Sequence, residues 1–428
     1  IRTYTDIIKP GARYHRADLL RLQSSLQNTP YFSAINVQTR TRRAADTSSA
    51  HSADNSDNTD AVNTTAQPNE QGPLADAVNT PPLTDISSSP SDYPAASDNA
   101  EVVTTDLLVT VVERAQHRIS FGLGASSNNG ARAQVSYLYP DLFGYAWDFY
   151  TGFKYEQNKQ QLFSDIFFPR KQTDMQYSVG AVFERENVNN LPLQNQTYRA
   201  TQAYTVDRSE RKISLTLERS TQERSAQEDE RLGDVQKVAL VPGITYTWRM
   251  VDSLVRPRFG GNYYVDLSGA SEEFISDTSF LYINARAQYF YSFGDSLTLI
   301  TRAEIGANIA DNIDSVPERY LFRTGGSNSI RGFDYLSIGV VEDEVVSGAN
   351  RLAVASAELN YWFDDTWAGA IFFDTGNAQN DMKKPNVDFY GYGLGIRYAT
   401  PAGPFALDVA QGNVDNSIHL HFSVSIPF

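Results

Sequence analysis

From His117 to Phe428 apolar and polar residues trade places at every second position, segment after segment, and a period of two is the signature of β-strands with one apolar face. In the last segment Ile418, Leu420, Phe422, Val424, Ile426 and Phe428 alternate with Ser417, His419, His421, Ser423, Ser425 and Pro427. In the first, Ile119, Phe121, Leu123 and Ala125 alternate with Ser120, Gly122, Gly124 and Ser126. A third sets Tyr390, Tyr392, Leu394, Ile396 and Tyr398 against Gly391, Gly393, Gly395 and Arg397. Segments of the same kind near 131–139, 145–155, 161–169, 174–185, 197–207, 211–220, 235–250, 258–267, 280–293, 297–307, 352–363, 367–376 and 404–410 complete the set.

No apolar run approaches the roughly 18 residues that a membrane-spanning helix needs, so any crossing must be a β-barrel. A soluble sandwich would also alternate, but it would hide its apolar faces in one core, whereas a membrane barrel turns them outward and ends them in aromatic girdles. Clusters such as Tyr137, Tyr139, Phe143, Tyr145, Trp147, Phe149 and Tyr150, or Tyr289, Phe290, Tyr291 and Phe293, have the composition of such girdles. The expected fold over 116–428 is therefore an all-β transmembrane barrel of about 16 antiparallel strands, preceded by a small α/β domain.

The 428-residue chain carries no cysteine and a net charge of −15. Disulfides, thiolate metal sites and cysteine nucleophiles are excluded together, and the acidity argues against nucleic-acid binding. Residues 44–100 hold eight Asp, one Glu and no Lys or Arg, in a Ser/Thr/Asn/Pro-rich stretch with a short self-repeat, Asp60 to Thr64 against Asp76 to Thr80. This reads as a disordered acidic low-complexity insertion. Ahead of it, Leu19, Leu22 and Leu26 predict an amphipathic helix over about 16–27, and Phe32, Ile35 and Val37 a strand. Leu107, Val109 and Val111 predict another strand after it, so that 1–43 plus 101–115 form one small module. Ile1 opens no charged and apolar leader, which suggests a mature or truncated chain.

A long stretch, 310–350, interrupts the strand rhythm, and loops of that length without structure of their own are usually functional or disordered. It contains Gly325-Gly326, then Ile330-Arg331-Gly332-Phe333, then Glu342, Asp343 and Glu344. In Phe372-Phe373-Asp374-Thr375-Gly376 the pleat puts Phe372, Asp374 and Gly376 on the inner face and Ile371 and Phe373 on the outer. Glu358 faces inward on the strand before, beside Ser356 and Asn360. Arg331 with Asp374 and Glu358 would make a charge-assisted lock holding the loop inside the barrel. Gly122 and Gly124 face Pro427 where the first and last strands meet. They mark either a weakly paired seam, with His421, Ser423 and Phe428 as its other members, or room for the inserted loop. His419 and His421 have no third metal ligand that the sequence can place, and no G-x-S-x-G elbow or phosphate loop occurs, so neither an enzyme nor a cofactor is expected.

Ile330-Arg331-Gly332-Phe333 resembles the V/I-R-G-F/Y tip of the sixth extracellular loop in the outer-membrane insertase and two-partner-secretion superfamily, and Phe372 to Gly376 resembles its F-x-D-x-G partner. The short loop after Phe333, the stretch from Ser356 through Trp367 to Ala378, Pro401-Ala402-Gly403-Pro404 and Leu407-Asp408 look most like the TamA-type branch. The resemblance implies a 16-stranded barrel in the bacterial outer membrane and periplasmic POTRA domains of β-α-α-β-β order. It also implies assembly or insertion of outer-membrane proteins, notably autotransporters, with lipid transport as a further activity. The implied partners are a TamB-like inner-membrane-anchored periplasmic protein, unfolded outer-membrane clients and membrane lipids, and no nucleic acid. TamA-like proteins carry three POTRA domains and a signal peptide, of which one domain and no signal can be found in this sequence. A two-partner-secretion polypeptide transporter shares both motifs, and a passive porin is the alternative from a different class.

Overall fold

A computed structural model of the chain describes residues 15–27, 32–41, 105–113, 115–170, 175–223, 234–253, 256–342, 344–380, 389–400, 403–414 and 417–427. The expected insertion at 44–100 and the terminal Phe428 lie outside these residues. The chain divides into two units, Ile1–Gln116 and His117–Phe428.

In the first unit, α1 (Arg16–Gln27) buries Leu22 and Leu26, as the spacing of its leucines requires. Strand β1 (Phe32–Thr41) pairs antiparallel with β2 (Thr105–Glu113), from Phe32 opposite Glu113 to Thr41 opposite Thr105. The two strands meet across more than sixty intervening residues.

The second unit is built on one closed sheet. Its first eight strands are β3 (Arg118–Ser126), β4 (Gly130–Leu142), β5 (Trp147–Glu156), β6 (Lys159–Phe167), β7 (Met175–Val188), β8 (Leu191–Val206), β9 (Ser209–Gln222) and β10 (Val235–Val251). Then follow β11 (Phe259–Ala270), β12 (Phe280–Phe293) and β13 (Leu297–Ala310). After a small hairpin of β14 (Val340–Glu342) and β15 (Val345–Ser347) come β16 (Arg351–Trp362), β17 (Trp367–Gln379), β18 (Phe389–Thr400), β19 (Gly403–Gly412) and β20 (Ile418–Pro427). Every barrel strand pairs antiparallel with its neighbours, and β20 closes onto β3, giving sixteen strands.

Apolar residues cover the outside: Ile119, Phe121, Leu123, Ile305, Ile371, Leu394 and Leu420 are exposed, while their alternates turn into the lumen. An apolar surface continuous around the whole wall is stable only against hydrocarbon. No described helix is long and apolar enough to cross a membrane. Phe290 departs from the girdle expected at 289–293: it is buried in the wall while Tyr289, Tyr291 and Phe293 stay outside, because alternation sends every second residue inward.

The connection between β13 and β16 is more ordered than a plain loop. It forms two short 3₁₀ turns, Ile313–Ser315 and Glu318–Tyr320, and the β14–β15 hairpin, whose tip is the acidic run at Glu342 and Glu344. Its first part packs Val316 and Tyr320 against Ala239, Val241 and Phe280 of the wall. Phe322 stacks on Tyr282 with ring centroids 5.1 Å apart, over Gly306, where a Cβ would collide with the Phe322 ring.

Pairing strength is uneven around the barrel. The β20–β3 register runs only from Ser423 opposite Ser126 to Pro427 opposite Gly122, five pairs, the shortest ladder in the described wall. The β7–β8 and β8–β9 ladders run to fourteen.

Candidate functional site

Alternation on the last strands aims a row of polar side chains at one point in the lumen. Ser356 and Glu358 come from β16, Asp374 from β17, Arg397 from β18, Asp408 from β19 and His421 from β20. The register brings Ser356 opposite Asp374 and Asp408 opposite His421. All six are buried, Asp374 completely.

Into this row the loop inserts Arg331, 1% exposed. Its Nε and Nη2 donate to the two oxygens of Asp374 at 2.6 and 2.9 Å, and its backbone N–H donates to Asp374 Oδ2 at 3.1 Å. Nη1 donates to Glu358 Oε2 at 2.7 Å and to Asp408 Oδ2 at 3.3 Å. The guanidinium carbon lies 3.4 Å from the centroid of the Phe372 ring, so the cation stacks on an aromatic face while its edges meet carboxylates. Burial alone would lower the pKa of Arg331. Hydrogen bonding and charge from Asp374, then the charges of Glu358 and Asp408, overcome it and hold the group above its ordinary value, fully protonated.

Arg397 completes the cluster, donating to Glu358 Oε1 and Oε2 at 3.0 and 2.8 Å and to Asp408 Oδ1 at 2.6 Å. Ser356 donates to Asp374 Oδ1 at 2.6 Å, and Arg302 on β13 donates to Ser356 at 3.1 Å while standing 3.9 Å from Glu358 and 4.0 Å from Asp374. Three arginines therefore face three carboxylates. A buried charge without its counter-charge is costly, and this cluster leaves none.

The rest of the tip is fitted by backbone. Gly332 has φ +91°, and a Cβ on it would lie 2.6 Å from the Gly412 nitrogen, so only glycine passes there. Its N–H donates to His421 Nε2 at 3.0 Å, which makes that nitrogen an acceptor and the ring neutral. On the wall, Gly391 and Gly412 leave space for the tip: side chains there would strike the carbonyls of Arg331 and Gly332. Ile330, Phe333 and Ile338 form a small apolar core beneath it, and Phe333 meets Phe389 edge-on at 5.5 Å.

Of the residues expected in the lock, Arg331, Asp374, Glu358, Phe372, Gly332, Ile330 and Phe333 meet at this one place. At Gly376 the nearest neighbours of a Cβ would be Ala353 and Val354 of β16, so its lack of side chain serves strand packing. Of the residues expected at the seam, Gly122 lies opposite Pro427, Gly124 opposite Ser425 and Ser423 opposite Ser126. The nearest neighbour of a Cβ on Gly122 would be Gln134 at 3.9 Å, so the inserted loop does not require glycine there. His421 contacts the loop tip. His419 beside it has Nε2 3.5 Å from Asp334 of the loop, and no three metal-ligating side chains cluster among the described residues.

Arg397, Asp408, Arg302 and Ser356 complete the cluster without having been assigned to it from sequence. Their signal was parity: each occupies a polar position on the inward side of an alternating segment.

Residues 115–428 match the Omp85 superfamily domain. A match 116 positions long, which takes in 24% of this chain and 14% of the other, is 31% identical to the chloroplastic outer envelope protein 80 of Arabidopsis thaliana. The fold superposes on BamA from Haemophilus ducreyi lacking POTRA domains 1–3 with a TM-score of 0.73 at 13% identity, over 100% of this chain and 82% of that one. It also superposes on CdiB from Acinetobacter baumannii, with a TM-score of 0.54 at 11% identity, over 98% and 70% of the two chains.

Proposed function

Because the chain belongs to the Omp85 superfamily, we propose that it is an outer-membrane insertion factor of the TamA type, acting at the seam between β3 and β20. The observation that carries this reading is the contrast between the two sides of β20. Strands β16 to β20 are gathered on the Arg331 cluster, whereas β20 meets β3 through five residue pairs. Pro427 in that ladder has no N–H to give.

An unpaired strand edge in hydrocarbon costs several kcal/mol per unsatisfied group, so a seam of this kind opens usefully only when another strand takes the place of the lost partner. An incoming client strand does that by augmentation, pairing with β3 or β20 as it leaves water. The lock keeps the loop and the last five strands in one piece meanwhile. In this reading the clients are unfolded outer-membrane proteins, autotransporters among them. The first unit is a periplasmic POTRA domain, a TamB-like protein and membrane lipids are the partners, and no step needs a cofactor.

The parent chain has no cysteine, so Gly124→Cys with Ser425→Cys places one new pair at facing positions of the seam. Oxidation is expected to stop insertion of an autotransporter-type client into vesicles carrying the barrel, and reduction to restore it. Insertion by the sealed barrel at the unsealed rate would defeat the lateral mechanism and make conduction through the lumen, as in a two-partner-secretion transporter, the better account.

A further inference from the structure

Beside the lock, on the inner wall formed by β10 to β13 and β16, lies a cavity of about 260 Å³ lined by Arg249, Arg286 and Arg302 together with Asn262 and Gln288, and roofed by Asn328 of the inserted loop. The register lines up Arg249, Asn262, Gln288 and Arg302 side by side across four strands, with Arg286 one step along the wall. Donors therefore lie side by side on one inner face of the wall.

The charge there is unbalanced at Arg249, which has no carboxylate partner among the described residues. Glu304 is the one carboxylate lining the cavity among the described residues, and it is engaged by Arg286 Nε at 2.8 Å. Arg302 stands at the edge of the lock, 3.9 Å from Glu358 and 4.0 Å from Asp374, carboxylates that Arg397 and Arg331 hold more closely. Arg249 is exposed to the lumen, and neither it nor Asn262, Gln288 or Asn328 makes a side-chain hydrogen bond or ion pair among the described residues. Guanidinium groups on a concave wall of low dielectric focus a positive field, and the amides beside them can both donate to and accept from a peptide backbone.

We infer that this cavity is a binding site for an acidic, extended polypeptide segment, whose carboxylates pair with Arg249, Arg286 and Arg302 while its backbone bonds to Asn262 and Gln288. A lipid headgroup fits the charge but not the place, since its acyl chains would lie along a polar wall. Occupancy would also reach the lock. A carboxylate that draws Arg302 toward the cavity withdraws it from Ser356, and so from the hydrogen bond that Ser356 gives Asp374. The site goes beyond the seam mechanism and does not depend on it, because a peptide can enter the lumen of a barrel whose seam stays shut.

The test uses the purified full chain in detergent and a fluorescein-labelled (Gly-Asp)₄ peptide, read by anisotropy, with (Gly-Asn)₄ as the neutral control and glycerol phosphate as a competitor. Saturable binding of the acidic peptide alone is expected. Arg249→Gln should weaken it about tenfold, Arg249→Lys much less, and Arg249→Gln with Arg286→Gln further still, with each variant's fold checked by heat-modifiable migration on gels. Equal binding of the neutral peptide, or affinity unmoved by Arg249→Gln in a folded barrel, would overturn the site. Displacement by millimolar glycerol phosphate would replace it with a general anion site. The oxidised Gly124→Cys, Ser425→Cys barrel should bind the peptide as the reduced one does, so that failure here and failure of the lateral mechanism give different results.

Discussion

Arg331→Ala is expected to destabilise the barrel by about 3–5 kcal/mol, the range for removing one partner of a buried, hydrogen-bonded ion pair, and by less to the extent that lumenal water reaches the carboxylates left behind. Asp374 would lose the two hydrogen bonds from the guanidinium and keep those from the backbone N–H of residue 331 and from Ser356, with Arg302 still 4.0 Å away; Glu358 and Asp408 would retain Arg397. Arg331→Lys should recover only part of the loss. One ammonium cannot hold both oxygens of Asp374, reach Glu358 and stack flat on Phe372 at the same time. Unfolding of the purified barrel in urea and detergent measures the effect. Combining Arg331→Ala with Asp374→Ala should cost at least about 1 kcal/mol less than the two single losses added together, and strictly additive losses would refute a direct pair.

Gly391→Ala should unseat the same loop without touching a charge. The new methyl would collide with the Arg331 carbonyl, and overpacking of this kind costs about 1–3 kcal/mol. Trypsin gives a sharp readout, because Arg331 is 1% exposed and its peptide bond is shielded while the tip is seated. The parent barrel should resist cleavage after Arg331, and the Gly391→Ala barrel should be cut there. Gly122→Ala, which places its methyl 3.9 Å from Gln134 and far from the tip in the register, should remain as resistant as the parent. A Gly391→Ala barrel that resists trypsin equally well would show that the tip tolerates a side chain beneath it.

The strands were legible because each carries its own signal, a two-residue period that needs no knowledge of its neighbours. Asp374 and Glu358 could be assigned to the lumen for the same reason: parity along a strand is local. Which inward residues share one spot depends on register, and register is a relation between strands that a single strand's sequence does not contain. Arg397 and Asp408 thus stood on the correct face with nothing to tie them to Arg331. His421 went to the seam because the strand end is visible in sequence, while the loop tip that covers it is not. The 3₁₀ turns and the hairpin at 340–347 were illegible because they are held by tertiary contacts, Tyr320 on Phe280 and Phe322 on Tyr282, more than by any local pattern.

The wall partners that hydrogen-bond to Arg331 and Gly332 come after them in the chain, at sequence separations of 27 for Glu358, 43 for Asp374, 77 for Asp408 and 89 for His421. Closing the barrel brings Phe422 to Ser127, a separation of 295. By the logarithmic growth of loop-closure entropy, that last contact costs about 2 kcal/mol more to form than Arg331 with Asp374. The C-terminal third can therefore condense around the tip as a unit of low contact order, and the junction of β20 with β3 falls last in the order of folding.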